Sequence, residues 1–344
     1  MPNCIYCNAA NATSISHIIP ESLGNKNTLA QGVCGNCNST FNRQVEEPIV
    51  KALSPIRSFL QLRGKRSELT RVRIEVKYGT GSQMVTAKSS ADLLRKAFVF
   101  KNFTDPQGIA RNIAFISFTK DAIEQHTRTY GERNPNIKLN DIPGIDAEDL
   151  EFWAQFDFDV FANSLCLRMM AKIAFEWWCK ERSPELLSAD EYDDIRNYIR
   201  SGADPGFPIV SVINNVGITD YFKVVPFGAH LMYRSTHPQL RSLVMVVAPY
   251  SLVYYKVVLT RSYQALAPET ILTAVNSQTG ESYAPRLVNP RGRVLTFGHR
   301  VDARYPGAAA VIRQMNTTLL ERLNHGMTTI IKQSHANPVG SETN

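Results

Sequence analysis

Cys4-Ile5-Tyr6-Cys7 and Cys34-Gly35-Asn36-Cys37 bracket the stretch Ser14-Ile15-Ser16-His17-Ile18-Ile19-Pro20-Glu21-Ser22-Leu23-Gly24-Asn25. A C-x-x-C turn aims two thiolates at one ion, and two such knuckles complete a tetrahedral four-thiolate zinc site. Disulfides are disfavoured in a reducing compartment, and a redox-active C-x-x-C would not come doubled without a thioredoxin-like βαβ context. The spacing therefore predicts structural zinc on Cys4, Cys7, Cys34 and Cys37, folding a segment whose apolar content is too small for a core. Between the knuckles, β-branched Ile18 and Ile19 read as a strand that Pro20 ends, with Gly24-Asn25 or Asn27 as the turn, so His17 stands on a short hairpin. After them, Asn38-Ser39-Thr40-Phe41-Asn42-Arg43-Gln44-Val45 opens with a capping-type residue and continues at helical spacing.

Knuckle, histidine hairpin, knuckle and helix, in that order, resemble the zinc-ribbon branch of the HNH (ββα-metal) endonucleases over residues 4–45. The resemblance implies a divalent-metal-dependent nuclease acting on phosphodiester bonds. Under it, His17 matches the general base that deprotonates water, a task an imidazole suits because its pKa lies near operating pH. Asn38, directly after Cys37, matches a ligand of the catalytic ion, Mg²⁺ or Mn²⁺, for which an amide oxygen is a hard donor. The asparagine that orients the base matches Asn27, with Asn25 competing. Ser16 stands where the family often has an acidic metal ligand, so the ion is held more weakly, through water, or by another carboxylate such as Glu21. Ser16 also supports the alternative of a zinc ribbon that binds nucleic acid without cutting.

The 344 residues exceed one usual core, and 44% apolar with 20% charged content excludes disorder and low-complexity architectures. The start Met-Pro-Asn-Cys has no secretory h-region, and Leu243–Leu259 is interrupted by Pro249, Ser251 and Lys256, so a cytoplasmic protein without a membrane span is expected. Net charge is +7, and residues 1–77 hold ten basic against five acidic side chains. Such asymmetry suggests a polyanion as partner, DNA under the resemblance, with a solvated basic face as the alternative. The alternation Thr70-Arg71-Val72-Arg73-Ile74-Glu75-Val76-Lys77 reads as a strand; with Arg63, Lys65 and Arg66 its Arg71 and Arg73 form a stripe suited to a phosphate backbone.

Beyond, helices are expected over 46–62 (interrupted at Pro48 and Pro55), 91–100, 121–130, 152–181, 189–200 and 308–323, with a strand at 113–119 and five strands between 208 and 259. Arg168 and Lys172, one turn apart, could face an anion or solvent. Cys166 and Cys179 read as packing residues, and His230, His237 and His299 as structural ones. The expected fold is α+β: an HNH nuclease module at 1–55, a larger mixed domain at 56–333 that selects the target or regulates activity, and a polar tail at 334–344. Restriction or antiphage-defence effectors often resemble this layout, and a third reading makes the large domain a sensor of a small nucleotide activator.

Overall fold

A computed structural model describes residues 3–10, 12–62, 69, 71–135, 149–154, 156–180, 182, 190–213, 225–236, 239, 241–264, 269–284, 300–302 and 319–332. Arg63, Lys65, Arg66, His237, His299 and the expected tail lie outside them.

The chain opens with the antiparallel hairpin β1 (Ser14–His17) and β2 (Thr28–Val33), with Ser16 opposite Leu29 and His17 opposite Thr28. A short 3₁₀ turn, Glu21–Leu23, lies between the strands and ends at Gly24, whose φ of 90° suits only a residue without Cβ. Helix α1 (Gly35–Phe41) starts inside the second knuckle, runs through a π-type turn at Asn42–Glu46, and is followed by α2 (Glu47–Ala52) and α3 (Ser54–Phe59). The break at Leu53 precedes Pro55, which has no N–H to continue the helical ladder.

Next come β3 (Val72–Tyr78) and β4 (Gly81–Ala87), α4 (Ser90–Leu94), β5 (Phe98–Thr104), β6 (Ala110–Ile116), α5 (Lys120–Arg133) and β7 (Glu151–Ala154). The alternation read in the sequence holds in β3, where Val72, Ile74, Val76 and Tyr78 are buried. Three expectations are corrected. The strand expected at Ile18 and Ile19 lies earlier, at Ser14–His17, and ends before them. The helix expected over 91–100 stops at Leu94, because Phe98, Val99 and Phe100 favour a pleated, half-buried surface and pair with β6. Residues 151–154 are a strand on β3 rather than the start of a long helix.

Then follow α6 (Ser164–Lys180), α7 (Asp193–Ser201), β8 (Val210–Ile213), β9 (Ala229–Thr236), β10 (Leu243–Ala248), β11 (Tyr255–Thr260), β12 (Glu269–Asn276), β13 (Ser282–Tyr283) and β14 (Arg300–Asp302). A helix at 319–332, α8, is the last described element. Strands β8 to β14 form one antiparallel sheet in the order β13-β12-β9-β10-β11-β8-β14. Helix α6 packs against β8, β10 and β11 and is buried on nearly every side from Cys166 to Cys179, including both cysteines. No helix among the described residues is long and apolar enough to cross a membrane.

The described residues fall into two compact units. One gathers those of Met1–Leu53 and Asp157–Leu319, the other those of Ser54–Arg63, Ser67–Phe156 and Leu320–Asn344. The knuckle-and-hairpin module therefore shares a core with α6 and the seven-stranded sheet. Gly24 lies against the main chain of Ser277, and His230 of β9 reaches the Leu23 carbonyl at 2.7 Å. In the other unit, Tyr78, Phe98, Phe100, Phe103 and Phe152 build an aromatic core between the sheet β4-β3-β7 and the hairpin β5-β6.

Candidate metal centre and catalytic hairpin

The backbone presents the four cysteines. Asn8, at φ 56°, closes the first knuckle by donating its N–H to the Cys4 carbonyl, and Ile5 N–H donates to Gly32 O on β2. In the second knuckle Cys34 is the N-cap of α1, and its Sγ accepts from Cys37 N–H at 3.4 Å. Cys34 N–H reaches Cys4 Sγ at 3.4 Å, so the second knuckle donates backbone N–H groups to sulfurs of both knuckles. All four Sγ atoms lie within 4.8 Å of one another, with Cys7 and Cys34 3.7 Å apart. Four thiolates at about 2.3 Å from a tetrahedral zinc stand about 3.8 Å apart, so the cluster fits that ion with small adjustments. The electrostatics agree. Burial raises the Cys4 thiol pKa, and burial together with the neighbouring thiols pushes Cys37 up, a cost that a bound cation removes. Cys34 moves the other way: the N–H of Cys37 and the thiols around it outweigh its burial.

The hairpin alternates. Ser16 points inward and is buried, donating its hydroxyl to Glu176 Oε1 at 2.9 Å and Oε2 at 3.0 Å, whereas Ile15 and His17 belong to the outer face. About a third of the His17 side chain is exposed, and its Nε2 lies 3.6 Å from Glu21 Oε2. Its Nδ1 is buried with no hydrogen-bond partner among the described residues. Asn38, on the second turn of α1, ties the helix to β1: its Nδ2 donates to Ser14 Oγ and to Ile15 O, both at 2.8 Å, which leaves the amide oxygen to accept.

The two candidate orienting asparagines act on backbone. Asn25 is buried, its Oδ1 accepting from Asn27 N–H and its Nδ2 donating to Ile19 O and Asn27 O. Asn27 O in turn accepts from Ile18 N–H at 3.2 Å, while its side-chain amide meets Ser282 and Lys180. The carboxylate set against His17 is Glu21.

The sequence reading missed what lies beneath. Lys172, on α6, is buried and donates to His17 O at 2.8 Å, pairing with Glu46 Oε1 at 2.9 Å and Glu176 Oε2 at 3.0 Å. Tyr6, inside the first knuckle, donates to the same Glu176 at 2.9 Å. Both basic side chains are taken up inside the protein: Lys172 by the Glu46 and Glu176 carboxylates, and Arg168 by the Ile199 and Arg200 carbonyls, so that it caps the C-terminal end of α7.

In the other unit, Arg71 and Arg73 are exposed on and beside β3. Arg71 lines a cleft of about 700 Å³ together with Lys88, Arg95, Lys96 and one carboxylate, Asp92. Asp92 is engaged by Lys88 N–H and by Lys96 Nζ, so positive charge dominates the walls.

A hairpin stapled by two knuckles and carrying a histidine, followed by a helix that bears an asparagine beside the second knuckle, is the arrangement to be compared with known proteins. Residues 4–54 match the HNH endonuclease family model, and the match covers that segment alone. No curated protein and no solved structure matches the chain.

Proposed function

We propose that this protein is a metal-dependent endonuclease hydrolysing phosphodiester bonds of DNA, with structural zinc on Cys4, Cys7, Cys34 and Cys37. The observation carrying the proposal is His17: a partly exposed imidazole on an HNH-type hairpin, with one nitrogen facing a carboxylate and the other unsatisfied. Neutral, the imidazole keeps one lone pair for the proton of an attacking water. Glu21 then steadies the imidazolium as it forms. Asn38 Oδ1, with Glu21, would hold the catalytic Mg²⁺ or Mn²⁺; such an ion, when bound, supplies charge neutralisation at the scissile phosphate and the leaving oxygen. The inner side of β1 offers an ion no room, because the Lys172 ammonium already sits among its oxygens.

The non-cleaving alternative rests on Ser16. Its side chain faces Glu176 on the inner side, so its neutrality takes nothing from the outer face, where His17 and Glu21 meet. Substrate would be held by phosphate contacts from Arg71, Lys88, Arg95 and Lys96, joined by Arg73 and by Arg63, Lys65 and Arg66. Within the proposal, residues 1–55 supply the chemistry, and the layout suits a restriction or antiphage-defence effector whose remaining chain selects the target or senses a small nucleotide.

The test is a plasmid-nicking assay with Mg²⁺, Mn²⁺ or Ni²⁺ added to zinc-loaded protein. Nicking that requires the added ion and falls in Asn38→Ala supports the proposal. Wild-type protein inert on every nucleic acid and ion contradicts it.

A further inference from the structure

We infer that Lys172 is a positioning residue for His17, an ammonium supplied by the core helix α6 that fixes the peptide on which the catalytic imidazole stands. The inference rests on the nuclease reading of His17 and extends it to a residue 155 positions away, outside the segment that matches the family.

The peptide joining His17 to Ile18 is held at both ends. Its carbonyl accepts from Lys172 Nζ at 2.8 Å, and its N–H donates to Asn27 O at 3.2 Å. Asn27 is itself fastened by the Asn25 side chain. β1 pairs with β2 alone, and with Ile18 N–H bonded to Asn27 O the register turns the His17 carbonyl to the other edge of β1, where Lys172 supplies the donor. The donor is in turn constrained. Lys172 and Glu176 are buried almost completely, and the ammonium directs its three protons to His17 O, Glu46 Oε1 and Glu176 Oε2. Burial opposes the charge, but Glu176 and Glu46 outweigh it and hold the Lys172 pKa above its ordinary value. Glu176 is completed by Ser16 and by Tyr6, so the residue before the base, the first knuckle and the base's own carbonyl converge on one Lys–Glu pair.

This network also accounts for Ser16. An aspartate or glutamate there would face Glu176 as a like charge without water, whereas a hydroxyl donates to it. The substitution thus belongs to the wiring of the hairpin onto α6, which packs against β8, β10 and β11 of the central sheet.

The test compares Glu176→Gln with Lys172→Met/Glu176→Gln, the double variant sparing the core an uncompensated carboxylate at 176. A displacement of the base by about 1 Å costs about 10²-fold, so kcat for nicking should fall by about that factor in the double variant relative to Glu176→Gln. KM for DNA and zinc content should stay together in the pair, a split that a merely structural role would not give, while the thermal midpoint falls because Glu46 loses its partner. Lys172→Arg is the second variant. Its planar fork keeps the charge but not the position of the donor, and kcat should fall about tenfold with zinc and DNA binding retained. A folded double variant with the kcat of Glu176→Gln overturns the assignment. Should that variant fail to fold, Lys172→Arg with wild-type kcat overturns it instead. Wild-type protein that does not nick, or His17→Ala that nicks like wild type, defeats the nuclease reading itself.

Discussion

His230→Gln should remove a large part of the protein's sensitivity to mild acid. His230 is buried between β9 and the turn that carries Glu21: its Nε2–H donates to Leu23 O at 2.7 Å, and its Nδ1 accepts from Tyr250 N–H at 3.3 Å. The Tyr250 contact requires the neutral ring, and burial, outweighing the Leu23 bond that favours the charged form, lowers its pKa from 6.5 to about 4. A proton below pH 6.5 therefore goes to the unfolded chain before the folded one, so stability falls as pH drops and the loss is complete below about 4. With 1.36 kcal/mol per pKa unit, the contribution lost is about 2 kcal/mol at pH 5 and about 3 kcal/mol at pH 4. Urea denaturation of wild type and His230→Gln at pH 7 and pH 5 measures it. The variant starts lower, having lost the Tyr250 contact, but loses about 2 kcal/mol less between the two pH values. Carboxylates titrate in both proteins and cancel. Equal losses in the two would refute the assignment of a neutral, buried His230.

Metal analysis should find about one zinc per chain, and Cys34→Ser or a strong chelator should destabilise the hairpin module, since an ion there offsets the cost of burying the Cys4 and Cys37 thiols against the core shared with α6. Gly24→Ala should destabilise by at least about 1–2 kcal/mol in urea, because φ is 90° and a Cβ would meet the Ser277 carbonyl. Lys88→Ala/Arg95→Ala should weaken DNA binding to all sequences alike and flatten its salt dependence by about one unit of slope per lost contact; an unchanged slope would mean the cleft walls are merely solvated.

The parts legible in the sequence are those set by short spacing. The knuckles, the hairpin bearing His17, the alternation of β3 and the apolar surface of α6 all follow from residues within a turn or two of one another. Other features depend on contacts distant in sequence. Lys172 on α6 has the same local pattern whether it faces solvent or a buried pair, and what decides is Glu46 and His17, more than a hundred residues away. The same holds for Ser16, whose neutrality makes sense only against Glu176. Phe98, Val99 and Phe100 fall at the end of the helix expected over 91–100 and are a strand because β6 pairs with them. The interleaving of two units, in which the chain leaves the first near Leu53 and returns at Asp157, carries no mark in composition.

Single-turnover nicking by His17→Ala, measured beside its DNA affinity, tests the central claim most directly. Under the proposed mechanism the imidazole acts on water during the reaction while lysines and arginines hold the phosphates, so the rate should fall by about 10²–10⁴-fold with affinity nearly unchanged. A variant that cleaves at the wild-type rate, or loses rate only in proportion to lost binding, would contradict the assignment of His17 as the base.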